Sequence, residues 1–190
     1  MHPQYEPFVD RRKQTRVKRV FKPAMIKADG ISTVGMLRDI SGAGIGLEVE
    51  EGLFQVGQNI ECVWGCNDPL SGTVIWAEDG RIGVASHVPD TKFEDTSTQY
   101  RSVRIPVTAG ANIYLDGKRL VAETVNFAQK GFCAVVSGKI RHGALATIEI
   151  GRRSFFNATA KWMKGEKAGF AIAQPLSIGE MQHLYKDLQA

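Results

Sequence analysis

The chain repeats itself, and that repetition limits its possible folds more than any other feature. Asp39-Ile-Ser-Gly-Ala-Gly44-Ile-Gly-Leu-Glu-Val49 lies over Asn126-Phe-Ala-Gln-Lys-Gly131-Phe-Cys-Ala-Val-Val136, and Ser71-Gly-Thr-Val-Ile-Trp76 lies over Asn157-Ala-Thr-Ala-Lys-Trp162. The step from Trp76 to Gly83 equals that from Trp162 to Gly169, and Arg16 to Asp39 nearly matches Arg104 to Asn126. The period is roughly 87 residues, so the 190-residue chain should hold two copies of one small domain. A copy of that size can bury a core of its own.

Each copy reads as short strands separated by Gly, Asn or Asp turns. Ile45, Leu47 and Val49 alternate with Gly46, Glu48 and Glu50, the period of a half-buried strand, and Ile60–Trp64, Thr73–Trp76 and Ile82–Ala85 continue it. The second copy offers Ile113–Leu115, Leu120–Val125, Phe132–Val136, Leu145–Ile150, Phe155–Trp162 and Phe170–Ala173. Many short strands at this spacing point to small antiparallel barrels. One helix is expected at the C-terminus, where Ser177-Ile-Gly-Glu180 has capping-box order and Ile178, Met181, Leu184, Tyr185 and Leu188 recur at helical spacing. That stripe is expected to close the second barrel, with docking of a partner as the alternative. The division expected is an N-terminal segment 1–16, a barrel 17–88, a polar linker 89–99 and a second barrel with the helix at 100–190.

Charge is local. Residues 10–22 carry Arg11, Arg12, Lys13, Arg16, Lys18, Arg19 and Lys22 against Asp10 alone, so the net +4 of the whole chain becomes −2 without them. Such a concentration argues for a defined anionic partner at one segment, not a surface that coats nucleic acid. No apolar run is long enough to span a membrane and the N-terminus lacks the order of a secretion signal, so a cytoplasmic location is the expectation. Three cysteines, Cys62, Cys66 and Cys133, read as free thiols, because Cys62-x-x-x-Cys66 lacks a second ligand pair; no metal and no cofactor is expected.

Two strings in the first copy carry chemistry. Arg11-Arg12-Lys13-Gln14-Thr15-Arg16 supplies planar, always charged forks that match phosphate oxygens and the O6/N7 edge of guanine. Asp39-x-Ser41-x-x-Gly44 supplies an acceptor for guanine N–H donors. Together they describe a pocket for an anionic guanine nucleotide. Alone, the first string is equally a solvated charge run, and the second a turn capped by its own Asp and Ser.

In this order, with Val74-x-Trp76 and Gly83-Val84 after them, the residues resemble the PilZ domain, a family of six-stranded barrels whose members bind the bacterial second messenger cyclic di-GMP. The resemblance implies two tandem six-stranded antiparallel barrels. It also implies that Arg12 and Arg16 grip phosphate and the Hoogsteen edge of guanine, that Asp39 and Ser41 hold guanine and sugar, and that Gly44 permits close approach of the base. Arg11 adds a third fork, a position associated in the family with binding a stacked pair of ligand molecules. The second copy departs from the pattern: Tyr100 replaces the first arginine, only Arg104 aligns with Arg16, and Asn126-x-Ala128-x-x-Gly131 lacks both the charge and the hydroxyl.

The function expected is therefore a cyclic di-GMP receptor that binds at the first domain, changes conformation, and signals to a protein partner. No Ser/His/Asp set, paired carboxylates, phosphate loop or dinucleotide fingerprint points to an enzyme. Two rivals are a PilZ-like interaction module without ligand and a small barrel that binds single-stranded nucleic acid, the latter needing aromatic platforms beside the basic run, where Phe21 stands alone.

Overall fold

A computed structural model describes residues 18–65, 68–88 and 102–189. In the first half, β1 (Lys18–Ala28), β2 (Ile31–Ser41), β3 (Gly44–Glu48), β4 (Asn59–Trp64), β5 (Leu70–Glu78) and β6 (Arg81–Ser86) form a closed barrel in the order β1-β2-β3-β6-β5-β4, every neighbouring pair antiparallel. In the second half come β7 (Ile105–Pro106), β8 (Gly110–Leu115), β9 (Lys118–Ala128), β10 (Gly131–Val136), β11 (Leu145–Ile150), β12 (Arg153–Lys164), β13 (Lys167–Ala171) and helix α1 (Ile178–Gln189). The β9–β10 pairing closes these strands into a second six-membered ring, with β7 beside the far end of β9. The strand order is that of the first barrel, so the duplication read from the sequence is a duplication of topology.

Local chemistry sets the hairpins. β1–β2, β5–β6 and β8–β9 turn through Asp29-Gly30, Asp79-Gly80 and Asp116-Gly117, all six residues at positive φ. That pairing matches strand twist, and Asp-Gly adopts it with little strain. Inside the first barrel the alternating side chains Ala24, Ile26, Leu37, Leu47, Ile60, Cys62, Trp64, Val74 and Ile82 make one core. Cys62 lies fully within it, and burial pushes its thiol pKa up, so it behaves as a small hydrophobe. Cys66 lies outside the described residues.

The second barrel differs at one strand. Where β1 runs unbroken for 11 residues, its counterpart is interrupted between β7 and β8 at Val107, Thr108 and Ala109. Thr124, buried at the position equivalent to Leu37, bridges the break. Its hydroxyl accepts from the Ala109 N–H at 3.0 Å and lies 3.1 Å from the Ala109 carbonyl, so the buried polar atom is satisfied.

Bulges occur at equivalent places in both copies. The β2–β3 ladder skips Arg38 and the β9–β10 ladder skips Val125; β5–β6 skips Ile75 and β12–β13 skips Lys161. An extra residue in one strand re-aims the side chains beyond it. Here it turns Asp39 and Trp76 in one copy, and Asn126 and Trp162 in the other, onto the barrel's outer face.

Helix α1 begins as its capping box requires: the Ser177 hydroxyl accepts from the Glu180 N–H at 3.2 Å, and the Glu180 carboxylate accepts from the Ser177 N–H at 2.8 Å. Met181, Leu184 and Tyr185 are buried with the second barrel's core, as the sequence predicts. The same cluster also contains Met25 and Val34 of the first barrel, with Val63 packed against it.

Candidate functional site

Asp39 and Ser41 are the last outward residues of β2 and Gly44 opens β3, so the Asp-x-Ser-x-x-Gly string is the rim of a hairpin. Next to Asp39, β1 contributes Arg19, its register partner, and Phe21; β2 contributes Arg38; β5 and β6 contribute Trp76 and Arg81. These side chains line a groove of about 270 Å³ whose floor is Gly46 and Leu47. The Arg38 guanidinium lies 4.8 Å from the centre of the Phe21 ring and donates to Glu48 at 2.8 Å. Three guanidinium groups, the Asp39 carboxylate and two exposed aromatic rings thus share one face, with Glu48 paired to Arg38 at its edge, Phe21 being 57% and Trp76 45% exposed. The indole is held flat on the barrel: a Cβ at Gly83 would sit 1.9 Å from its Nε1.

Two glycines in this region serve different purposes. A Cβ on Gly44 would lie 1.9 Å from the Val84 carbonyl oxygen, so the barrel wall itself requires glycine there. Gly131 has the same need, its Cβ falling 2.0 Å from the Phe170 carbonyl oxygen. This explains why the glycine persists in the second copy while aspartate and serine do not. Gly46 is different: its missing Cβ would meet the Asp39 carboxylate at 2.6 Å, so its absence leaves room for that group at the groove floor.

The second copy has the same frame with other contents. Register places Pro106 where Arg19 stands, Asn126 for Asp39, Cys133 for Gly46 and Lys167 for Arg81; Thr108 and Val125 correspond to Phe21 and Arg38. Trp162 keeps its glycine, Gly169, beneath it. The residues that the wall needs and the tryptophan above its glycine are common to both copies, while Arg19, Phe21, Arg38 and Asp39 of the groove are replaced and Arg81 becomes lysine. Cys133 is half-buried, and burial raises its thiol pKa, partly offset by the charges of Lys167 and Arg104.

Of the six residues singled out from the sequence, the structure brings Asp39, Ser41 and Gly44 to one hairpin, while Arg11, Arg12 and Arg16 lie outside the described residues. The Ser41 hydroxyl donates to the Gly44 carbonyl at 3.3 Å, which ties the rim together. Arg19, Phe21, Arg38, Trp76 and Arg81 were not expected at the site. They are scattered over four strands, and only barrel closure and the irregularities in β1, β2 and β5 unite them. Among the described residues, no three His, Cys, Asp or Glu side chains cluster to hold a metal, and no helix is long and apolar enough to cross a membrane.

Residues 10–100 match the family described as PilZ domain. No curated protein sequence matches the chain. Solved structures resembling it include the Borreliella burgdorferi PlzA protein in complex with c-di-GMP (12% identity, 87% of each chain covered, TM-score 0.39). They also include the Bacillus subtilis inhibitor of motility MotI/DgrA (8% identity, 89% of this chain and 97% of that one, TM-score 0.41). A third is Escherichia coli YcgR in complex with c-di-GMP (14% identity, 88% and 83%, TM-score 0.37).

Proposed function

The first half of this chain, residues 10–100, belongs to the PilZ domain family, and from that premise we propose that the chain is a cyclic di-GMP receptor using the Asp39 groove of its first barrel. One observation carries the reading: between two copies of one barrel, the wall residues and the tryptophan on its glycine are kept, while Arg19, Phe21, Arg38 and Asp39 of the groove stand only in the first. Asp39 accepts from guanine N–H donors, and Gly46 gives its carboxylate room. Arg19, Arg38 and Arg81 surround the groove with positive charge for a phosphodiester ring, and Trp76 and Phe21 offer flat apolar faces to a purine. Arg11, Arg12 and Arg16, immediately before β1 in sequence, complete the phosphate contacts in this reading. Binding draws those arginines onto the ligand and changes the surface offered to a protein partner; the chain acts by binding, not by chemistry.

Calorimetric titration with cyclic di-GMP, alongside an Arg12→Ala/Arg16→Ala variant and Asp39→Ala, tests this. Saturable binding to the wild type that weakens in both variants and is not displaced by GTP supports it; no binding to the wild type rejects it. A second reading, single-stranded nucleic acid, is favoured by one observation: two exposed aromatic rings, not Phe21 alone, share the face with the arginines. An affinity for oligonucleotides that falls steeply with salt, together with no preference for the cyclic dinucleotide, would select that reading.

A further inference from the structure

Strand β2 has two clients. Its C-terminal end carries Arg38 and Asp39 at the groove and Ser41 at the hairpin rim. β3 runs beside it only from Met36 to Ser41, which leaves its first half for another neighbour. That neighbour is α1: the Gln182 side-chain amide donates to the Val34 carbonyl at 2.8 Å, and Lys186, one turn on, pairs with Glu50, just beyond β3. Val34 is fully buried although its side chain is not part of the first barrel's core. With its register partner Met25, and Val63 opposite Met25 on β4, it forms an apolar row across the outside of β2, β1 and β4. The row lies within the second barrel's apolar cluster and α1 packs on it at β2, so α1 is core for one barrel and a clamp on the other.

The clamp grips both strands of the hairpin that bears the groove, β2 at Val34 and the chain leaving β3 at Glu50. Five positions, about 17 Å of strand, take β2 from Val34 to Asp39. A paired strand in a closed barrel transmits a shift along that length because the interior is close-packed and has little slack. On this basis we infer that α1 is an intramolecular latch whose engagement of β2 and β3 pre-organises the Asp39–Gly46 hairpin, and that ligand occupancy and latch closure favour one another. The inference rests on the receptor reading of the groove for its ligand, but the mechanical half stands on the helix and the hairpin alone. By linkage, whatever the latch contributes to ligand affinity, the ligand returns to the latch.

The test uses the full chain. Gln182→Ala/Lys186→Glu removes the amide contact and turns the Glu50 pair into a repulsion, and Glu50→Lys added to it restores an opposite-charge pair. Val34→Glu breaks the apolar row from the other side while leaving the inside of the first barrel untouched. Amide hydrogen exchange without ligand should show faster exchange in residues 39–46 as well as in 178–189 for the latch variants, with partial return on adding Glu50→Lys. Calorimetry with cyclic di-GMP should show affinity reduced about fivefold or more, the lower range of such couplings. Ligand should in turn slow exchange of α1 in the wild type. Loosening of α1 with unchanged exchange at 39–46 and unchanged affinity overturns the latch and leaves the receptor reading intact. A wild type that binds no cyclic di-GMP, yet whose hairpin loosens with the helix, keeps the mechanical coupling and rejects the receptor.

Discussion

At the scale of single residues, the two glycines of the β2–β3 hairpin separate fold from function. Gly44→Ala drives a Cβ into the Val84 carbonyl, and overpacking against backbone destabilises by about 1–3 kcal/mol. A lower denaturation midpoint is expected, and ligand affinity should fall only as far as the fold does. Asp39→Ala leaves the wall untouched, because the side chain faces the groove. Its loss should remove a charge-assisted contact of about 1.5–3 kcal/mol, a 10- to 150-fold weaker affinity, with the midpoint nearly unchanged. Gly46→Cys installs in the first barrel the residue that the second has at Cys133 and crowds the Asp39 carboxylate. Calorimetry on that variant should report weakened binding in a protein that melts normally.

Elements place these residues where no local pattern would. The bulges at Arg38 and Ile75 set Asp39 and Trp76 on the outside of the barrel beside Arg19 and Arg81; a regular strand would have changed the face of every residue beyond. At α1 the local pattern is sufficient, since the cap predicted from Ser177 and Glu180 forms as written. Replacing Ser177 with Ala should destabilise the helix by about 1 kcal/mol, read as faster exchange across 178–189. The cap is also a pH element. Hydrogen bonds from the Ser177 N–H and then its hydroxyl lower the Glu180 carboxyl pKa. A group depressed on folding stabilises above the unfolded glutamate value, about 4.3, and that contribution is lost as pH falls through the folded value. Helical signal should therefore decline with acid in the wild type, and the Glu180→Gln variant should lose the part of that decline that belongs to the cap.

Over the whole molecule, the barrels are joined by shared core as well as by sequence. Met25 and Val34 belong to the second barrel's cluster. A chain cut to residues 1–88 exposes both, losing at most about 3–6 kcal/mol of burial at 1.5–3 per side chain. Such a fragment should unfold at lower denaturant than the first barrel within the full chain, and equal midpoints would show that the row contributes nothing to stability. The duplication, the antiparallel barrels, the capped helix and the hairpin of Asp39, Ser41 and Gly44 were all legible in the order of residues. Each of these is written in local spacing: a period of two, an Asp-Gly turn, a capping box, or one copy laid over the other. Spacing did not delimit β1 or β2, where Pro23 and a bulge break the alternation. Nor did it reveal Arg19, Phe21, Arg38, Trp76 and Arg81 as neighbours, or show that α1 serves two barrels. Those facts belong to tertiary structure, because barrel closure joins strands far apart in sequence and because Met25, Val34 and Val63 look, strand by strand, like any outward residue until the second barrel's apolar cluster covers them, with Gln182 of α1 bonded to Val34 from 148 positions away.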